Sequence, residues 1–259
     1  MSKMTSRINR HYDDVMYTEH GNNYYGYSDF FNYGYWNENT PDQKTACENL
    51  VEKLLSFLPA KTGTILDVAC GKGATAHYLL KYYKPQDITG INISEKQLAT
   101  CKAKIPEATF LLMDAAKLEF EDNCFDNIMC VEAVFHFHTR EKFLQEAYRV
   151  LKPRGYLVLT DILLTEWGER YNPLRPDKDG VGDLHEYSWL YRHAGFQSVE
   201  VIDATKECWE GCYKNLARYS YERLLRGEID TKIYRDIAVN IFRKLPTTQY
   251  YLLVAARKE

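Results

Sequence analysis

The chain has 259 residues, of which 45% are hydrophobic and 27% charged, with a formal net charge of -3 and a sequence pI near 6.2. These values suit a water-borne globular protein with an ample core, and they exclude bulk attraction to nucleic acid or anionic membranes. No apolar stretch approaches the ~20 residues needed to span a bilayer. The first residues lack the apolar centre of a signal peptide, so a cytoplasmic location is expected. Seven cysteines, an odd number lying mostly in apolar runs, read as reduced thiols rather than a disulfide framework. Cys208 and Cys212 have no second Cys/His pair at zinc-finger spacing, so no metal site is expected.

Taken in chain order, the first feature is aromatic. There are 21 tyrosines, and many crowd between Tyr24 and Trp36. Tyr24, Tyr25, Tyr27, Tyr33 and Trp36 read either as a loop packed on the body or as a wall over a substrate pocket. Asn39-Thr40-Pro41 then predicts a helix start, followed by apolar positions from Ala46 to Leu58 at helical spacing and an end near Pro59.

Thr64–Ala69 reads as a buried strand opening into the glycine turn Cys70-Gly71-Lys72-Gly73, with a helix from Ala74 to Tyr83. Asp87–Ile93 is a second strand, and Ser94-Glu-Lys-Gln97 matches a capping box for a helix to about Lys104. Strands follow at Thr109–Met113 and Phe125–Val131, then a helix near Arg140–Leu151. Lys152-Pro-Arg-Gly155 predicts a turn into a fifth strand, Tyr156–Asp161. Leu163–Asp183, with two prolines and three glycines, reads as a mobile loop. A helix at Leu184–Ala194, a strand at Ser198–Ile202, a helical insertion at Thr205–Leu245 and a closing strand at Gln249–Ala255 complete the chain.

This alternation predicts an α/β fold with a Rossmann-like, mostly parallel seven-stranded sheet and a helical cap insertion. One domain is expected, with 1–38 as an aromatic lid, 39–204 as the ligand-binding core, 205–247 as the cap and 248–259 as the closing strand. Ligands in such sheets bind beyond the carboxyl ends of the strands. Polar clusters fall at those ends: Asp67 with Gly71 and Gly73, Asn92 with Ser94, Asp114 with Ala115, Glu132 to His136, and Asp161.

The order of these motifs resembles class I S-adenosylmethionine-dependent methyltransferases over roughly residues 50–202 and the closing strand. Ile65-Leu-Asp-Val-Ala-Cys-Gly-Lys-Gly73 is similar to the family's first motif, and Phe125-Asp126, Tyr148-Arg-Val-Leu-Lys-Pro-Arg-Gly155 and Ala194-Gly-Phe196 resemble its later landmarks. The resemblance implies S-adenosylmethionine as cofactor, S-adenosylhomocysteine as product, and an antiparallel last strand. It also implies that Asp67, Gly71 and Gly73 cradle the methionine end, that Asn92 faces the ribose, and that Ala69, Ile93 and Gln97 belong to the cofactor-binding set. Asp114 and Ala115 would meet the adenine, Glu132 would belong to the cofactor-binding set, and His136 would lie beside the methyl group. Asn92 stands where the family usually has an acid; an amide can still donate to and accept from hydroxyls.

Methyl transfer is a direct displacement, so the protein chiefly aligns the partners and excludes water. The small-molecule branch, including natural-product O-methyltransferases, often carries a histidine after the fourth strand and an acid after the fifth. His136 is therefore the expected base and Asp161 matches the acid after the fifth strand. Glu132 would orient the acceptor, or stabilise a cation if the acceptor is a carbon–carbon double bond, and Phe135 would line the pocket. Phe135 stands where that branch commonly has a second histidine. The same branch resembles terpenoid and sterol C-methyltransferases, so C-methylation, or N-methylation of a small amine, stays open. No Asn-Pro-Pro-Tyr-type motif or basic groove points to nucleic acid. A small-molecule acceptor is expected, with no nucleic-acid or membrane partner and homo-oligomers possible. The intact glycine turn argues against a non-enzymatic binding protein. The absence of G-x-G-x-x-G argues against a nicotinamide dehydrogenase.

Overall fold

The computed structural model describes residues 3–171, 174 and 181–259. Two helices open the chain, α1 (Lys3–Val15) and α2 (Glu19–Tyr24), followed by an extended aromatic stretch and α3 (Gln43–Leu55). The start of α3 corrects the sequence reading. Asp42, not Asn39 or Thr40, caps it, its carboxylate accepting from the Thr45 amide at 2.8 Å. The Thr40 hydroxyl instead accepts from the Asn37 amide and closes a preceding turn. The helix also ends at Leu55, ahead of Pro59.

The alternating unit then begins: β1 (Ile65–Val68), α4 (Ala74–Leu79), β2 (Ile88–Asn92), α5 (Glu95–Lys104), β3 (Thr109–Leu112), β4 (Phe125–Cys130) and α6 (Arg140–Val150). β1 is buried along its whole length, as expected for a parallel strand covered on both faces. Ser94 caps α5 by accepting from the Gln97 amide at 3.1 Å. The Gln97 side chain is used elsewhere, donating to Asp13 and accepting from Asn92.

β5 (Leu151–Leu164) is longer than the sequence suggests. The Lys152-Pro-Arg-Gly155 segment is absorbed into the strand as a register shift against β4, with Arg154 at φ 68°, rather than forming a separate turn. The expected loop at Leu163–Asp183 is corrected in part. β5 runs to Leu164, and Glu166–Tyr171 forms a short helix, α7. Residues 172–173 and 175–180 of that expectation lie outside the described residues.

α8 (Leu184–His193), β6 (Ser198–Asp203), α9 (Gly211–Leu225), α10 (Thr231–Lys244) and β7 (Thr248–Arg257) complete the described elements, with a π-helical turn at Lys206–Glu210 before α9. The strand order is β3-β2-β1-β4-β5-β7-β6, with β7 antiparallel to both neighbours. This is the seven-stranded Rossmann-like sheet anticipated from the alternation. The carboxyl ends of β1 to β6 consequently share one edge, and the α9–α10 insertion, joining β6 to β7, stands on it. Among the described residues no helix is long and apolar enough to cross a membrane.

Candidate functional site

At the carboxyl edge, where β1 and β4 lie side by side, the backbone makes room for a ligand. Ala69, Gly71 and Gly73 all have positive φ, at 57°, 55° and 83°. At Gly73 a Cβ would also lie 3.0 Å from Cys101 Sγ, so glycine meets both the torsional and the spatial demand. The turn opens onto a cavity of about 160 Å³. Asp67, Ala69, Gly71, Asn92, Ile93, Gln97, Asp114, Ala115, Glu132 and His136 all line it. Residues from four strand ends, distant in sequence, are thus brought to one space.

The geometry gives each side chain a condition. Asp67 is 1% exposed, and its Oδ2 has no hydrogen-bond partner. Burial pushes its carboxyl up to about 8, opposed only by the Ala76 amide donating to it. Asn92 is held rigidly: its amide donates to Gln97 at 2.9 Å and to the Gly71 carbonyl at 3.3 Å, and its oxygen accepts from the Ile93 amide. Asp114 accepts from the Ala116 amide at 2.9 Å.

Glu132 sits at φ 51° just past β4. Its Oε1 accepts from the Tyr33 amide at 2.7 Å and the Tyr251 hydroxyl at 2.6 Å, and desolvation raises its carboxyl to about 8. His136 Nδ1 lies 3.2 Å from the Leu174 carbonyl, which can only accept, so Nδ1 carries the proton. Nε2 is then the acceptor of the Tyr12 hydroxyl at 2.7 Å. Desolvation holds His136 down to about 4, so the ring is neutral at neutral pH.

Asp161 stands apart from this cavity. It is fully buried in an ion pair with Arg140, at 2.7 Å and 3.0 Å, and its Oδ1 also accepts from its neighbour's amide. The aromatic expectation is also redirected. Tyr24, Tyr25, Tyr27, Tyr33, Trp36 and Phe135 are not among the residues lining the cavity. Tyr33 packs on Trp209 with ring centroids 4.6 Å apart, and Trp36 is buried with its indole donating to the Tyr33 carbonyl. Tyr24 stacks edge-on against Tyr25 and Tyr219, while Tyr27 is 60% exposed and bonds Glu19. Phe135 rests on the His136 ring at 4.4 Å. The aromatic cavity wall is instead Tyr12, Phe30, Phe31 and Phe137.

The N-terminal helix is the part that the motif reading missed. Ile8, Asn9, Tyr12 and Met16 line the cavity, and Asp13 accepts from Ser94 at 2.6 Å and Gln97 at 2.8 Å. The signal was available: Met4, Ile8, Tyr12 and Met16 recur every four residues, which is an apolar helical stripe.

A seven-stranded sheet of this order, with a glycine turn after β1 and polar groups at successive strand ends, defines a nucleoside-cofactor site at the topological switch point. Residues 66–159 match the family model described as a methyltransferase domain. The chain is 31% identical over 202 residues to the methyltransferase GfsG of Streptomyces halstedii, covering 70% of each protein. It is 27% identical over 249 residues to the 27-O-demethylrifamycin SV methyltransferase of Amycolatopsis mediterranei, covering 88% of this chain and 89% of the relative. Among solved structures, the [4+2]-cyclase SpnF matches with a TM-score of 0.76 at 22% identity, over 98% of this chain and 96% of that one. The geranyl diphosphate C-methyltransferase of Streptomyces coelicolor A3(2), solved with S-adenosyl-L-homocysteine, matches at 0.71 and 14% identity, over 100% of this chain and 98% of that one. These two structural likenesses speak to the fold alone. The chain belongs to the class I S-adenosylmethionine-dependent methyltransferases. Its cofactor is S-adenosylmethionine, and the buried, unpartnered Asp67 Oδ2 beside an open glycine turn fits the ammonium-bearing end of that molecule.

Proposed function

We propose that this enzyme methylates a hydroxyl oxygen of a small specialised metabolite, with His136 as the proton acceptor. The observation that carries the reading is the neutral His136 ring, its Nε2 met by a hydroxyl at 2.7 Å at the wall of the cofactor cavity. Bound S-adenosylmethionine supplies an electrophilic methyl group on its sulfonium sulfur. Asp67 accepts from the cofactor's ammonium, and Gly71 and Gly73 let the backbone come close. Asn92, Ile93 and Gln97 face the ribose, and Asp114 with Ala115 the adenine.

His136 is oriented by the Leu174 carbonyl, so only Nε2 is available to take a proton. An acceptor hydroxyl taking the place of the Tyr12 hydroxyl would sit at hydrogen-bond distance from that nitrogen. A base this weak is adequate, because the hydroxyl proton becomes strongly acidic as its oxygen gains the methyl group. Glu132, joined to the N-terminal segment through the Tyr33 amide, fixes the wall against which the acceptor rests. Two relatives support oxygen as the methylated atom by their names, the rifamycin enzyme above and the O-methyltransferase cnsE of Penicillium expansum.

The test is transfer of a labelled methyl group from S-adenosylmethionine into a small-molecule extract, with the product's mass spectrum locating the methyl. His136→Ala should lower turnover about 10²–10⁴-fold while S-adenosylhomocysteine affinity stays within a few-fold. An O-methylated product with turnover unchanged by His136→Ala would remove His136 from the reaction, and a C-methylated product would overturn the hydroxyl assignment.

A further inference from the structure

One lysine gathers the whole N-terminal segment. Lys72 lies between Gly71 and Gly73 in the cofactor turn, yet its side chain runs away from solvent and is 4% exposed. Its ammonium donates to the Met16 carbonyl at 2.7 Å, to Asn22 Oδ1 at 3.1 Å and to Asp29 Oδ1 at 2.7 Å. These partners follow α1, lie within α2, and stand in the aromatic stretch beyond it. An ammonium has three hydrogens, and three successive pieces of chain each take one. Asp29, held at φ 62°, gives its other carboxylate oxygen to Lys104.

The same segment provides one wall of the cavity. Met16 presses on the turn itself, its Cε 3.3 Å from where a Cβ on Gly71 would stand. Tyr12, one helical turn earlier, holds His136. Further ties fasten the segment to α5: the Asp13 carboxylate accepts from Ser94 and Gln97, its carbonyl accepts from Lys96 at 2.9 Å, and Tyr17 bonds Thr100 at 2.9 Å. Those ties do not involve the glycine turn. With Lys72 removed the segment would stay attached to α5 but could swing about it, carrying Met16 off Gly71 and Tyr12 off His136.

We propose that Lys72 is a positioning residue of the methyl-transfer site, whose ammonium clamps Met16, Asn22 and Asp29 so that the N-terminal helix closes over the bound cofactor. Because its backbone belongs to the turn that the cofactor touches, cofactor binding and closure of the segment are coupled. By reciprocity, the factor by which bound cofactor favours the closed segment is the factor by which closure strengthens cofactor binding. The inference rests on the cofactor site already assigned, and wild-type binding of S-adenosylhomocysteine tests that site separately.

The experiment uses the full chain, S-adenosylhomocysteine as probe, and trypsin acting at Arg7 and Arg10 within α1. In wild type the probe should slow cleavage at these sites several-fold. Lys72→Met should weaken probe affinity about tenfold or more and abolish the probe-dependent protection. Asn22→Ala removes one of the three partners but leaves the turn and its charges intact, so it remains informative if Lys72→Met fails to fold; it should show the same change at smaller amplitude. A lower melting temperature with wild-type affinity and wild-type protection would mean that Lys72 only packs, and would overturn the proposal. Failure of wild type to bind the probe would overturn the cofactor site and this inference with it.

Discussion

Replacing Asp67 with asparagine probes the cofactor site without touching the acceptor. In the ligand-free protein, burial moves this carboxyl from 3.8 to about 8. At pH 7 roughly nine-tenths of the molecules therefore carry a proton on it. An ammonium placed against Oδ2 stabilises the ionised form, so binding of S-adenosylhomocysteine should release roughly 0.9 proton at pH 7. Affinity should weaken about tenfold for each pH unit below 8, until the carboxyl's pKa in the complex is reached. Calorimetry in two buffers of different ionisation enthalpy reads both quantities. Asp67→Asn should flatten the pH dependence and lower affinity at pH 8 by about 10–100-fold, the worth of one charge-assisted hydrogen bond. Stability should move the other way. The folded-state pKa lies above the unfolded value, so the native state binds the extra proton and ligand-free stability falls as pH rises from about 4 through 8. Asp67→Asn should therefore melt higher than wild type at pH 8, by the order of a few kcal/mol, and match it near pH 4. Probe affinity independent of pH between 6 and 8, with no proton released, would refute the pairing of Asp67 with the ammonium.

Asp161→Asn or Arg140→Met leaves half of a buried two-bond ion pair without its partner and should cost about 3–5 kcal/mol in urea unfolding. Turnover should then follow only the folded fraction; a fully stable Asp161→Asn protein with lost turnover would place Asp161 in the chemistry. Gly73→Ala combines φ 83° with a Cβ 3.0 Å from Cys101 Sγ, and should weaken S-adenosylhomocysteine about tenfold or more by calorimetry, through roughly 1–2 kcal/mol of backbone strain and a displaced α5. Glu132→Gln keeps an oxygen to accept from Tyr33 and Tyr251 and removes a carboxyl that burial raises from 4.5 to about 8, so by the same linkage it should melt higher than wild type at pH 8 and match it near pH 4. Equal melting of the variant and wild type at both pH values would refute the raised Glu132 carboxyl.

The sheet was legible because each strand is short, apolar and followed by a turn of distinct chemistry. Ile65–Val68 before two glycines at positive φ admits little else than a buried strand opening a ligand turn. The strand ends were legible for the same reason: Asn92, Asp114 and Glu132 interrupt apolar runs where the chain must reverse. Side-chain destination was not. Asp161 reads as a strand end as Glu132 does, yet β5 runs on to Leu164 and Arg140, 21 residues earlier in sequence, pairs with it in the core. No local pattern states which acid an arginine on the preceding helix will reach. The tyrosines misled in a related way. A ring reads as pocket wall or as packing with equal ease, and Trp209 and Tyr213 of the insertion arrive to bury Tyr33 only once the chain is folded.

The two coverings of the carboxyl edge divide the work of the site. The insertion between β6 and β7 meets the aromatic stretch through Trp209 packed on Tyr33, Gly211 against Trp36, and the Glu207 carbonyl accepting from the Trp36 amide at 3.0 Å. It thereby supports the aromatic stretch from behind. α1 and the residue after it instead touch three of the four cofactor-facing strand ends: Met16 at the glycine turn after β1, Asp13 at Ser94 and Gln97 after β2, and Tyr12 at His136 after β4. A cleft at a topological switch point is open to solvent by construction, since neighbouring crossovers leave it on opposite sides. Methyl transfer requires that opening to be shut, because water competes with the acceptor and screens the sulfonium. In this chain the closing element belongs to residues before the first strand, held by a lysine inside the cofactor turn. On the proposed reading, acceptor choice falls to the residues that α1, the 29–32 stretch and the 132–138 loop present to the cavity. Swapping those three segments between relatives, rather than altering the sheet, is the route by which specificity would be moved.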